Sequence, residues 1–122
     1  MRRMTFALST NGSGVASTTA PRRVLGKLYC IAYRPGTIDT GATLTVTSVG
    51  VGTSTLLSLA TAGTSDIWLY PRDLMHGTSN GAALTGAAGG DRTLPIIDGL
   101  LTVAIASGAA SKVGAVTLYF EE

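Results

Sequence analysis

The residues of this chain that could take part in catalysis are few and widely spaced. Asp73, His76 and Asp91 are the candidates for a metal or acid/base site, and His76 is the only histidine. Recognisable metal sites use paired ligands that one hairpin or helix presents together, and these residues do not have such a spacing. We therefore expect solvated charges at these positions, with no metal and no cofactor.

Two further features could suggest chemistry, and neither has the context that the chemistry needs. The glycines at positions 86, 89 and 90 are not accompanied by a P-loop lysine or followed by a helix that could bind phosphate. Cys30 is the only cysteine and lies in an apolar, strand-like run, where a buried inert thiol is expected. The sequence therefore predicts no internal disulfide, which suits a reducing cytoplasm, and no enzymatic activity.

The chain carries unusually few charges. Charged residues make up 13% of the sequence, about half of the share typical of soluble domains. Such a surface predicts that another protein covers part of it, although solvent-facing serine and threonine could also keep it soluble. The net charge is +2, and the positive residues concentrate at Arg2, Arg3, Arg22, Arg23 and Lys27 without forming a contiguous basic stripe. We expect these arginines on a solvated edge or against an acidic partner, and no nucleic-acid binding.

Targeting segments are not predicted. Residues 1–4 lead into an alternating segment and not into the continuous apolar stretch of a signal peptide. No run approaches the roughly 20 apolar residues of a membrane span. We therefore expect a protein that does not associate with a membrane.

The elements that must position these residues are short β-strands. Apolar and small polar residues alternate with a period of two, most clearly over residues 43–47, and glycine or proline closes each run. We predict an all-β fold, a two-sheet antiparallel sandwich of jelly-roll-like form. The predicted strands are residues 3–10, 15–20, 22–33, 43–49, 55–61, 67–70, 94–97, 100–107 and 113–120.

The breaks between these strands suggest how the chain is organised. Asn11 to Gly14 predict a hairpin turn, and Pro21 is expected to end the pairing of the returning strand. Residues 1–20 are therefore a hairpin or an extended arm that a partner orders, and residues 21–122 are the sandwich domain. Residues 98–99 predict a turn between the two strands that flank them. Residues 71–93 lack periodicity and predict one long loop, either a contact surface or a plain crossover.

Two short motifs are typical of interaction surfaces. Trp68 and Tyr70 precede a proline and Arg72, and aromatic residues beside an arginine often anchor interfaces. The alternative is that Trp68 fills the core and that Arg72 pairs with Asp73 or Asp91. The motif 89–92 predicts a tight turn in which Asp91 and Arg92 bridge each other or reach a neighbouring subunit.

Four segments together resemble small virion proteins of tailed bacteriophages, of the capsid decoration or cement type. They are YCIAYRPG at residues 29–36, DIWLYPR at 66–72, GGDR at 89–92 and GAVTLYF at 114–120, and the likeness covers residues 22–122. The resemblance implies a β-sandwich or jelly-roll that binds the exterior of the phage head as a dimer or trimer. It also implies that the major capsid protein is the partner and that the virion is assembled in the host cytoplasm.

This resemblance leads to expected roles for the candidate residues. We expect Arg72, Asp91 and Arg92 to make polar contacts, and Trp68 and Tyr70 to act as anchors or to support them. The remaining candidates, expected to form an edge that meets an acidic capsid surface, are Arg2, Arg3, Arg22 and Arg23. The alternative is a head-fibre or tail-associated module that binds a receptor or carbohydrate, and this alternative requires an exposed aromatic platform.

Overall fold

The computed structural model describes residues 1–50, 52–74 and 92–122, and these ranges are built from β-strands. The strands are β1 (Arg2–Ser9), β2 (Ala16–Arg34), β3 (Thr43–Val49), β4 (Thr53–Leu59), β5 (Ile67–Leu69), β6 (Asp73–Leu74), β7 (Arg92–Thr93), β8 (Ile96–Ala106) and β9 (Val113–Glu121). Seven strands form one antiparallel sheet, and β6 and β7 form a separate pair. The prediction of an all-β antiparallel fold is confirmed. Within the described ranges, no helix is long and apolar enough to cross a membrane.

β2 is the central element because its two parts pair with different strands and so define two halves of the sheet. One half contains the first part of β2 with β8, β3 and β4, and the other contains the second part of β2 with β9, β1 and β5. Its first part, up to Lys27, pairs with β8. From Lys27 onward it pairs with β9 on one side and β5 on the other. The resulting strand order is β1-β9-β2-β8-β3-β4. The register shifts between Thr19 and Arg23 and again between Leu28 and Cys30, and bulges of this kind bend a strand.

The two halves of the sheet share one hydrophobic core. Alternation along each strand selects the side chains that enter it, because successive side chains of a strand point to opposite faces. Its fully buried members include Leu8, Leu28, Ile31, Leu44, Ile97, Leu101, Ile105, Leu118 and Phe120. The seven strands are hydrogen-bonded continuously through β2, and the two-sheet, jelly-roll-like arrangement stays a prediction.

The N-terminal strand pairs with the C-terminal one. Arg2 lies opposite Phe120 and Ser9 opposite Val113, so β1 runs along β9 and does not form a ladder with the returning chain. The turn at Asn11 to Gly14 leads into the first part of β2, which pairs with β8, and hydrogen bonds join this turn to the segment that precedes β9. The Thr10 hydroxyl donates to the Ala109 carbonyl at 2.6 Å, and the Gly108 amide donates to the Gly14 carbonyl at 2.9 Å.

The first segment of the chain is part of the common core. Phe6 and Leu8 of β1 belong to the same cluster of buried residues as Leu118 of β9. The Thr18 hydroxyl of β2 also donates to the Ala7 carbonyl of β1 at 3.1 Å. Residues 1–20 are thus fastened to the remainder of the sheet by apolar contacts and by hydrogen bonds.

Two predicted breaks lie inside strands. Pro21 does not end β2, because the ladder with β8 skips the bulge around it and resumes at Arg23. The predicted turn at residues 98–99 is wrong, since both residues lie within β8. Gly99 has a φ of 117°, and a Cβ there would lie 2.0 Å from the Val49 carbonyl oxygen. Glycine at this position therefore permits close approach of β3 and does not close a turn.

The predicted long loop has paired ends. Asp73 lies opposite Thr93, and Leu74 lies opposite Arg92, in the short ladder of β6 and β7. The rest of the predicted loop, residues 75–91, lies outside the described residues, so the choice between a contact surface and a crossover stays open.

Candidate functional site

The most distinctive surface of the molecule is the outer face of β1, β9, β5 and the part of β2 from Lys27 onward, which we call the aromatic face. Within β5, Ile67 and Leu69 pack against the core, so Trp68 and Tyr70 point to the opposite side. Trp68 is 54% exposed and Tyr70 is 62% exposed. The alternative in which Trp68 fills the core is therefore wrong.

Trp68 forms an aromatic pair with Tyr119 of β9. The ring centroids are 5.5 Å apart and the ring planes are inclined by 34°. The two strands lie on either side of β2, where Ala32 is opposite Trp68 and Cys30 is opposite Tyr119. Because Ala32 and Cys30 have small side chains, they leave room for the two large rings to meet above β2.

Arginines lie at both sides of this aromatic pair. Arg3 lies opposite Tyr119 in the β1–β9 ladder and is exposed. Arg72 follows β5, and its guanidinium donates to the carbonyl oxygens of Tyr29 at 3.0 Å and Pro71 at 2.6 Å. These bonds fix the Arg72 side chain beside β2 while leaving it exposed. The structure thus brings Arg3, Trp68 and Arg72 to one face, where the positive charges of the arginines flank partly exposed aromatic rings.

Cys30 lies within this face and is not activated. Burial raises the pKa of its thiol, and the nearby charge of Arg72 lowers it by a smaller amount. A thiol with a raised pKa is protonated at neutral pH and is a poor nucleophile. Cys30 is only partly buried, so the expectation of a buried thiol is wrong, whereas the raised pKa agrees with an inert one.

A second cluster gathers arginines at the ends of the chain. The Arg22 guanidinium donates to both carboxylate oxygens of Glu122, at 2.9 and 3.0 Å. Arg2 approaches the same carboxylate at 3.2 Å. The hydrogen bond from Arg22 and the charges of Arg22 and Arg2 outweigh desolvation and lower the pKa of Glu122. Two of the four predicted edge arginines therefore meet an acid of their own chain, and their expected contact with a capsid surface stays a prediction.

The remaining edge arginines are apart from that cluster. Arg3 lies on the aromatic face, and Arg23 lies opposite Leu100 on the outer side of the other half of the sheet. Beside the cluster, the Tyr29 hydroxyl donates to Glu121 at 2.6 Å. This hydrogen bond, together with the negative charge of Glu121, raises the pKa of Tyr29. The four arginines thus do not form one edge.

The candidate residues of the predicted loop are only partly described. His76 and Asp91 lie outside the described residues, as do the glycines at 86, 89 and 90. Asp73 and Arg92 are positioned by the β6–β7 pair. In the part of the chain that the structure describes, no group of His, Cys, Asp and Glu could hold a metal ion, and no pocket is found.

Sequence reasoning missed three members of these sites. Tyr119 has a readable signal, because it alternates with the core residues Leu118 and Phe120 and must point outward. Glu121 and Glu122 have none, since their partners depend on how β9, β2 and β1 are arranged. No family model, curated protein or solved structure matches the chain. The aromatic face is suited to binding by apolar contact and stacking, with hydrogen bonds at its borders.

Proposed function

We propose that this chain is a structural virion protein of the capsid decoration or cement type. It oligomerises, as a dimer or trimer, on the exterior of the phage head and stabilises the shell by bridging subunits of the major capsid protein. The observation that carries the proposal is the aromatic face, where Trp68, Tyr70 and Tyr119 are flanked by Arg3 and Arg72. Aromatic residues and arginine are the types most enriched among residues that dominate binding energy.

The proposed mechanism is passive. A rigid sheet that binds two neighbouring capsid subunits adds its binding free energy to the assembled shell, because it binds the assembled state and not the dissociated one. Many identical contacts act together, so each can be weak. The long β2 and the shared core give such a bridge stiffness, since both halves of the sheet are fastened to one strand and one cluster of buried side chains.

The test is co-sedimentation with undecorated phage heads. The purified chain is mixed with heads, and the pelleted fraction is measured against concentration. We expect Trp68→Ala to weaken binding at least tenfold, as truncation of a central aromatic anchor does. The matched control is Leu25→Ala, which truncates a side chain that is 69% exposed on the other half of the sheet. This control should bind as the unmodified chain does.

Two results contradict the proposal. The first is unmodified protein that stays in the supernatant at saturating concentration. The second is equal binding of heads by the unmodified chain and by Trp68→Ala, which would remove the aromatic face from the interface.

The second candidate is a receptor- or carbohydrate-binding module of a head fibre or tail. The exposure of Trp68 favours it, because sugar rings stack on exposed aromatic side chains. Glycan binding by the isolated chain that Trp68→Ala abolishes, with an unchanged circular dichroism spectrum, would favour this function over cement. Binding of heads without binding of glycans would favour cement.

A further inference from the structure

We propose that two copies of this chain associate through β4, which pairs antiparallel with β4 of the second copy across a two-fold axis. An exposed edge strand offers unpaired N–H and C=O groups that another strand can bind. This proposal specifies the surface through which the chain associates with itself. It rests on the proposed function only for the expectation of self-association, because the pairing of two β4 strands requires no capsid.

Two edges of the sheet carry features that discourage pairing. β1 begins with Arg2 and Arg3, and the Thr18 hydroxyl already occupies the Ala7 carbonyl at 3.1 Å. β5 has three residues and is followed by Pro71 and then by a charged side chain. Charge, proline and shortness are the usual means by which proteins prevent edge-to-edge association.

β4 has none of these features. It is a seven-residue strand at the end of the strand order, and in the described part of the chain it pairs only with β3. It contains no charged residue and no proline, and the sequence has no charge anywhere from residue 40 to residue 65. Its length offers about 24 Å of free edge. Of these three edges, β4 is therefore the one best suited to bind another strand.

The neutrality of β4 favours a second copy as its occupant. When identical strands pair antiparallel about a two-fold axis, residues near the axis face their own copies, so a charge there would meet a like charge. β4 avoids this repulsion and also offers no charge with which to select a charged strand of another protein. Leu57 and Leu59 are only partly buried against the core, and a second copy would cover more of their apolar surface.

The test measures the mass of the intact chain in solution by sedimentation velocity over a concentration series. We expect a reversible dimer, because a single-strand edge is a small interface. Ser58→Lys introduces a charge at an exposed position of β4 and should shift the chain to monomer. In the unmodified chain, the backbone amides of residues 53–59 should exchange more slowly with deuterium as concentration rises.

The matched control is Ser17→Lys. Ser17 lies in the same cross-strand row as Ser58, through Ala104 and Thr45, but three strands away, at about 14 Å. It adds the same charge to the same outer face and should leave the dimer intact. Should Ser58→Lys fail to fold, Thr55→Lys, at another exposed position of β4, replaces it.

Three outcomes overturn the proposal: a monomer at every concentration, a dimer that Ser58→Lys leaves unchanged, and a dimer that both lysine variants disrupt equally. The proposed function fails separately. A monomer that sediments with phage heads would contradict the β4 dimer and the oligomeric state in the proposed function, but not the binding of heads. A β4 dimer that ignores heads would contradict the capsid function and leave the dimer standing.

Discussion

The rings of Trp68 and Tyr119 meet across β2, at 5.5 Å between centroids, although they belong to strands that are far apart in the sequence. Their approach depends on Ala32 and Cys30, the small residues opposite them in the intervening strand. The pair is thus a product of the sheet order, in which β5 and β9 flank β2. It also joins the edge strand β5 to the centre of the aromatic face.

The aromatic pair should contribute to stability beyond the area that each ring buries. In a double-mutant cycle of Trp68→Ala and Tyr119→Ala, we expect a coupling free energy of about 0.5 to 1.5 kcal/mol. Urea unfolding of the two single variants and the double variant measures it. Strictly additive effects would show that the rings lie near each other without interacting.

Tyr33 offers an unusual route to a more stable protein. Its side chain is fully buried, and among the described residues its hydroxyl has no hydrogen-bond partner. Because a buried hydroxyl without a partner loses its hydration on folding, Tyr33→Phe should raise the free energy of unfolding by about 1 kcal/mol. The exposed Tyr70→Phe is the control and should change it by less than about 0.5 kcal/mol. A loss of stability in Tyr33→Phe would contradict the prediction.

Gly99 should not tolerate a side chain. Its φ is 117°, and a Cβ would lie 2.0 Å from the Val49 carbonyl oxygen, so β3 and β8 would have to separate. We expect Gly99→Ala to lower the free energy of unfolding by more than about 2 kcal/mol. Gly52→Ala is the matched control, because a Cβ there meets nothing within 4 Å. Gly52→Ala should be neutral or slightly stabilising. Equal effects of the two substitutions would be inconsistent with the close approach of β3 to Gly99.

Acid should weaken the cluster at the chain ends. The hydrogen bond and charge of Arg22, together with the charge of Arg2, hold the pKa of Glu122 below its ordinary value of 4.5. A carboxyl whose pKa is lower in the folded state stabilises the protein above its unfolded pKa, and this contribution is lost as pH falls through the folded pKa. We therefore expect the free energy of unfolding to decrease as pH falls below 4.5. This decrease should be smaller in Glu122→Gln.

The measurement is urea unfolding at a series of pH values. Asp66→Asn is the control, since it removes an exposed carboxyl from the connection between β4 and β5. It should keep the pH dependence of the unmodified chain. An unchanged acid dependence in Glu122→Gln would show that other carboxyl groups account for it.

Much of the local structure was predictable because it depends on neighbouring residues alone. Alternation over residues 43–47 identified β3, and the same period assigned Leu101, Val103 and Ile105 to one buried side of β8. The outward direction of Tyr119 follows from the same rule. At Pro21 and Gly99, by contrast, residue type suggested breaks where the chain continues as a strand, because a bulge and a close approach of β3 accommodate them.

The sequence by itself determined that the chain forms strands, which side of most of them is apolar, and that charges are scarce. Only the tertiary structure decided that β1 pairs with β9, that β2 joins both halves of the sheet, and that Arg2 and Arg22 share Glu122. The physical reason is that a period of two specifies the face of a strand but not its neighbour. Strand partners follow from how the whole chain encloses its apolar side chains, which no local window contains.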